Sequence, residues 1–219
     1  MKIYAHRGAS RTHPENTLDA FAEAIQVGAD GIELDIHCTA DDVPVVMHDR
    51  SLERTAGVDR DVNQISLEEL RQIAPQVPSL DEVFALVGGK LHFDLEVKQE
   101  NIVEQTLAVI DRHPELRWAV SSFDWNVIRA FRSQQPASDL WLLGMTLAED
   151  MISTAQEIGA TTLALHDLAV GEDTVPRANE AGYEVMVWTV NDPVRGQTLK
   201  RWGVSAICTD TPADFMSAP

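Results

Sequence analysis

Positive charge is scarce in this chain. Over 219 residues, 17 lysines and arginines stand against 35 aspartates and glutamates, a formal net charge of −18. A duplex binder needs a basic face to displace counterions from phosphates, so this balance argues against nucleic acid as a partner. Most of the acidity reads as a solvating surface. An anionic substrate would then need local positive charge, from a metal or from a few placed side chains. Cysteine is nearly absent: Cys38 and Cys208 stand far apart, in no metal-ligand spacing, and are expected as reduced thiols. Long apolar runs are missing, so neither a membrane span nor a stable membrane association is expected. The opening segment, Met1 to Arg7, carries no secretory-signal pattern, and a cytoplasmic location is expected. No Gly-x-Gly-x-x-Gly follows a strand-like run, and no Gly-x-Ser-x-Gly elbow occurs, which leaves nucleotide cradles and serine hydrolases unsupported. Nothing in the composition speaks to oligomeric state.

What is present is alternation. Eight short β-rich apolar runs fall at 3–5, 32–36, 91–97, 118–121, 140–143, 162–165, 184–190 and 206–208. Amphipathic stretches lie between most of them. Leu18, Phe21, Ala22 and Ile25 mark one helix face, with Asn16 expected as its cap and Gly28 as its stop. Ser66 with Glu69, and Ser79 with Glu82, each match a capping box. Strand–helix alternation implies parallel strands covered by helices. Eight of them fit a closed (β/α)8 TIM barrel; the alternative is an open doubly wound sheet. Residues 43–47 follow the second strand too closely for a barrel strand and read as an extra arm. With 50–78 they make a short insertion, about 43–78, after the second barrel strand. The chain reads as one domain, 1–219.

In such barrels the chemistry lies at the carboxyl ends of the strands. His6 and Arg7 end the first strand. Glu33 and Asp35 share one face of the second, by alternation. Glu96 and Lys98 stand in the same relation on the third, and His48 with Asp49 ends the extra arm. Three inward carboxylates are costly unless neutralised. A hard divalent cation would do so; so would ion pairs to Arg7 and Lys98, and spacing alone leaves both open. His6 and His48 are groups that trade protons near neutral pH, and Asp49 can fix the tautomer of its neighbour. His13, His37, His92, His113 and His166 lack such a context, although the parity of His92 sets it deeper in the same interior. Ser121, Ser122, Phe123, Trp188, Asn191 and Asp210 also end strands.

These residues resemble the glycerophosphodiester phosphodiesterases. The resemblance rests on His6-Arg7-Gly8, Pro14 to Thr17, Ala20-Phe21, Gly28 to Asp35, Thr39 and Val45 to Asp49. It continues through Pro78 to Val83, Leu95 to Lys98, Ser122-Phe123, Val187 to Asn191 and Gly203 to Pro212. It implies a (β/α)8 barrel with a small insertion after the second strand, and metal-dependent hydrolysis of glycerophosphodiesters to glycerol 3-phosphate and an alcohol. It maps the acid–base pair onto His6 and His48, and the ligands of one divalent cation (Mg²⁺ or Ca²⁺, with Mn²⁺ also suitable) onto Glu33, Asp35 and Glu96. Arg7 and Lys98 take the place of phosphate-contacting cations, and Glu15 that of a supporting carboxylate. Trp188, by its place near the barrel mouth, reads as a surface for the apolar face of glycerol or as a barrel-core aromatic. The nucleophile is water or the vicinal glycerol hydroxyl. Asp42 stands where a glycine is usual, a change that Asp tolerates in a left-handed turn. Two rival readings remain: the same machinery acting on lysophospholipids, which would need an apolar entrance, and an inert binding module for phosphodiesters.

Overall fold

The computed structural model describes residues 1–216. Its strands are β1 (Lys2–His6), β2 (Gly31–Cys38), β3 (Pro44–Val46), β4 (His92–Val97), β5 (Arg117–Ser122), β6 (Asp139–Gly144), β7 (Thr162–His166), β8 (Glu184–Trp188) and β9 (Ala206–Thr209). All but β3 are parallel and form a ring, because β1 pairs with both β9 and β2. The ring is the expected (β/α)8 barrel, and its closure excludes the open sheet. The helices are α1 (Leu18–Gln26), α2 (Glu53–Ala56), α3 (Leu67–Ile73), α4 (Leu80–Val87), α5 (Val103–Ile110), α6 (Trp125–Gln134), α7 (Glu149–Ile158), α8 (Thr174–Glu180), α9 (Pro193–Trp202) and α10 (Pro212–Met216).

The main core lies between ring and helices, where Phe21, Phe84, Phe93 and Phe131 are fully buried. Each contributes roughly 1.5–3 kcal/mol of transfer free energy. A second core fills the barrel interior with Tyr4, Trp141, Leu143, Met186 and Cys208. A third, small one belongs to the insertion: Val45, Met47, Leu52, Val62, Ile65, Leu70 and Val77. The insertion attaches where the ring offers a free edge. β1 has five residues and β2 has eight, so β1 pairs only with Gly31 to Glu33. Beyond that point β3 takes the edge of β2, antiparallel, at Ile36 to Cys38.

Three local expectations change. Thr17, not Asn16, caps α1, its hydroxyl accepting from the Ala20 N–H. Asn16 sits at φ 58° and sends its amide to Asp35 instead. Ser79 and Glu82 form the full reciprocal box, whereas at Ser66 only the serine half forms, because Arg60 draws Glu69 away at 2.9 Å. The strand expected over 184–190 ends at Trp188, where the chain turns so that the Val190 N–H reaches the Cys208 carbonyl at 2.9 Å.

At the bottom of the interior the packing is tight. A Cβ on Gly31 would lie 2.4 Å from the Tyr4 ring, so only glycine admits that tyrosine. The Tyr4 hydroxyl lies 3.0 Å from His92 Nδ1, and the His92 ring stacks on Trp141 at 5.8 Å and 9°. Burial pulls the His92 pKa down to about 4, against an ordinary 6.5. Between those two values the unfolded chain binds a proton there that the folded one refuses, so stability falls as pH drops through the window and levels off below it. The stability advantage of wild type over His92→Gln should therefore shrink from pH 7 to pH 4 in urea titrations. An advantage independent of pH would refute the assignment.

Candidate active site

The mouth of the barrel is assembled from strand ends. Register sets the depth of each group: His6 faces Glu33 across β1 and β2, and Asp35 faces Glu96 across β2 and β4. Glu33, Asp35 and Glu96 each offer an oxygen, and these oxygens lie within 4.8 Å of one another. Asp35 is fully buried. Burial pushes its pKa up, but Lys98, Arg7, His48 and the Asn16 amide together hold it below the usual carboxylate range. Glu33 goes the other way: burial, then Asp35, Glu96 and Asp94, drive it well above that range. Glu96 is likewise raised, by burial and Asp35.

The two cations answer the acids only in part. Arg7 has φ 56° and is followed by Gly8 at φ 80°. A Cβ on Gly8 would lie 2.7 Å from the Ala20 backbone, so glycine lets this turn pack on α1. The turn lets the Arg7 main-chain N–H donate to Glu33 Oε2 at 2.9 Å and puts its guanidinium 3.3 Å from Asp35 and 3.0 Å from Glu15. Lys98 Nζ lies 2.6 Å from Glu96 and 3.4 Å from Asp35. Thus ion pairing occurs, yet Glu33 Oε1 is buried without a hydrogen-bond partner, and Asp35 Oδ1 has only the 3.4 Å contact to Lys98. Such under-bonded oxygens, on a set of three carboxylates against two cations, fit a hard cation.

Two imidazoles line the same mouth. His6 Nδ1 is 2.6 Å from Asp210 Oδ1, on the loop after β9. Asn191 donates to the other Asp210 oxygen at 2.7 Å and Ser10 to the first at 3.1 Å. Burial opposes, but these partners hold the Asp210 pKa at about 2. His48 is delivered by β3. The Met47 N–H donates to the Asp35 carbonyl at 3.0 Å, and the buried His37 lies 3.2 Å from the His48 carbonyl through Nε2. His48 Nδ1 lies 2.7 Å from Asp49, whose pKa falls to about 2, chiefly through its bond to Arg54. An ionised carboxylate only accepts, so each Nδ1 carries a proton and each Nε2 is left for chemistry.

The cavity between them is small, about 70 Å³. His6, Arg7, Glu33, His48, Glu96 and Lys98 form its polar half; Phe123, Leu143, Met186 and Trp188 form its apolar half. Trp188 meets His166 at 4.9 Å and Phe123 at 5.4 Å, both edge-on. Glu15 stands behind Arg7 and does not line this cavity. All nine candidate residues thus gather at one end of the barrel, directly or through Arg7. Sequence reading missed four partners: Asp210 for His6, Asn16 for Asp35, His37 for His48, and Arg54 for Asp49. Only Asp210 carried a signal, since closing an eight-stranded ring makes the last strand a neighbour of the first.

Residues 6–214 match the model of the "Glycerophosphoryl diester phosphodiesterase family". A glycerophosphodiester phosphodiesterase from Caldanaerobacter subterraneus subsp. tengcongensis is 30% identical over 98% of this chain and 96% of its own. A phosphodiesterase from Oleispira antarctica, solved with the product sn-glycerol-3-phosphate, superposes with a TM-score of 0.92 at 26% identity, covering 99% of this chain and 96% of that one. A glycerophosphodiester phosphodiesterase from Thermotoga maritima gives 0.87 at 26% identity, over 98% and 96%. Fold and likeness together define a barrel enzyme of the phosphoric diester hydrolase class. More narrowly, the chain belongs to the glycerophosphoryl diester phosphodiesterase family.

The electrostatics yield a test of the cation fit. With chelator present, Glu33→Gln removes the cost of a buried carboxyl that its acidic neighbours force to keep a proton, while its amide oxygen can still accept from the Arg7 N–H. It should melt higher than wild type, by roughly 2–4 °C for each kcal/mol relieved in a domain of this size. Added Mg²⁺ or Ca²⁺ should then stabilise wild type but not the variant. A variant less stable than wild type in chelator would count against the repulsion.

Proposed function

We propose that the protein hydrolyses glycerophosphodiesters to glycerol 3-phosphate and an alcohol, with one divalent cation and two histidines. The observation that carries this reading is the arrangement itself: two imidazoles, each held at Nδ1 by a carboxylate, lining one cavity with Glu33 and Glu96 of an acidic cluster in which Glu33 Oε1 has no partner. Likeness to the Oleispira antarctica structure, which holds the product, supports the substrate class.

Glu33, Asp35 and Glu96 would hold the cation, Mg²⁺, Ca²⁺ or Mn²⁺, which when bound withdraws negative charge from the phosphoryl oxygens. Arg7 and Lys98 supply further positive charge at the same wall. Glu15 keeps the Arg7 guanidinium aimed at the cavity. One histidine takes a proton at Nε2 from the nucleophile, and the other gives one to the departing alcohol. Each role is worth roughly a hundredfold to ten-thousandfold. Trp188 and Phe123 flank the carbon face of glycerol. Two buried, unpaired cysteines favour a reducing compartment, in keeping with a cytoplasmic enzyme.

The test is hydrolysis of glycerophosphocholine with detection of glycerol 3-phosphate. Chelator should abolish turnover, and Mg²⁺, Mn²⁺ or Ca²⁺ should restore it. His6→Ala and His48→Ala should each lose most turnover while melting as folded proteins. Near-normal rates in either variant would sink the acid–base roles; indifference to chelator would sink the cation.

A specific observation favours a second reading, hydrolysis of monoacylated substrates. The insertion offers no apolar entrance, since Leu52, Val62 and Ile65 are buried in its own core. Apolar side chains are exposed elsewhere: Phe123, Met145 and Leu168 on the connections after β5, β6 and β7, and Val194 in the first turn of α9, which follows β8, so that they fall consecutively around the ring. Phe123 joins this rim to the apolar half of the cavity. An acyl chain on glycerol would leave along it. Lysophosphatidylcholine should then be hydrolysed, and Leu168→Asp should slow that reaction while sparing glycerophosphocholine. Equal effects on both substrates, or none on either, would refute it.

A further inference from the structure

The proposed acid–base chemistry leaves one well-connected cation without a role. Arg54, on α2 of the insertion, donates from Nε to Asp49 Oδ2 at 2.5 Å, and from Nη2 and Nη1 to the two oxygens of Glu15 at 2.6 and 3.1 Å. Asp49 is the carboxylate on His48, and Glu15 the carboxylate on Arg7. We infer that Arg54 is a positioning residue, which locks Asp49 and Glu15 in one frame and so orients both His48 and Arg7 towards the substrate phosphate. This rests on the acid–base reading above.

Geometry sets what the residue must be. A guanidinium presents a planar fork to one carboxylate and a third N–H to another; an ammonium is a single point of charge. Without that fork, Asp49 and Glu15 would be like charges gathered around an uncompensated gap. Asp49 could then turn away from Nδ1, releasing the imidazole ring, and Arg7 would lose the anchor that keeps its guanidinium near Asp35. The base of Arg54 is fixed independently. Leu52 is fully buried in the small insertion core, its N–H donates to the Arg60 carbonyl at 3.0 Å, and the Val62 N–H donates to the Arg50 carbonyl at 2.9 Å. The insertion is therefore a bracket for the site. Arg54 itself is half exposed, so its pairing contributes little to overall stability, and its removal should be felt in turnover rather than in melting.

The experiment compares wild type with Arg54→Ala, Arg54→Lys, Asp49→Asn and the Arg54→Ala/Asp49→Asn pair on glycerophosphocholine with saturating Mg²⁺. Arg54→Ala should lower kcat about 10- to 100-fold, the usual effect of removing an outer partner of a working group. It should raise KM several-fold through Arg7, and its Tm should stay within a few degrees of wild type. Arg54→Lys should recover only part of kcat. Added guanidinium at millimolar concentration should partly rescue Arg54→Ala and leave Asp49→Asn unmoved. On the Asp49→Asn background, Arg54→Ala should cost much less in kcat than it does alone. Wild-type kcat in Arg54→Ala, full additivity with Asp49→Asn, or a loss explained by unfolding with no recovery in Arg54→Lys would each overturn the inference. If His48→Ala keeps its turnover, the acid–base reading fails first; if His48→Ala is dead and Arg54→Ala is not, only the role of Arg54 fails.

Discussion

Repulsion among buried carboxylates governs the design of this barrel mouth. Glu33, Asp35 and Glu96 converge with Asp94 beneath them, and burial pushes the Asp94 pKa up to about 8. Such a set cannot ionise fully on its own. The surrounding structure reads as a response: the left-handed turn at Arg7 and Gly8, the Asn16 amide diverted from capping, and Lys98 at the end of β4. Each puts a donor or a positive charge against Asp35, and Asp35 alone stays in the low range. The arrangement stops short of neutrality, and the three carboxylates form a group that could hold a cation.

The same physics separates two kinds of acid in the mouth. Asp49 and Asp210 are partly exposed and richly bonded, and their pKa values fall to about 2. Glu33 and Glu96 are enclosed and crowded by acids, and theirs rise. The first kind works by holding an imidazole still. The second belongs to the group that could hold a metal.

The fold was legible in the sequence because strand–helix alternation and the count of eight are local signals, and ring closure follows from them. The insertion could be seen because 43–47 follows β2 too closely to be a barrel strand. That the candidate residues would gather at the strand ends was legible through parity and through resemblance. Their partners were not. Asn16 looked like a cap because Asn is a good cap, and only the tertiary position of Asp35 overrode that preference. His37 reaches a backbone carbonyl, which leaves no trace in residue types. Arg54 lies 39 residues from Glu15, a separation at which no helix or strand period applies. Apolar exposure on the β5–β8 side could not be read either, since the same residue types fill the core.

One feature of the ring bears on how the protein is made. His6 leaves the ribosome long before its partner Asp210, which lies beyond β9, 204 residues later. His48 finds Asp49 at once. A growing chain thus carries one oriented imidazole early and acquires the other only when β9 docks between β1 and β8. The mouth comes into being with the last stitch of the barrel, so a chain that lacks β9 holds only one of the two imidazoles by its carboxylate.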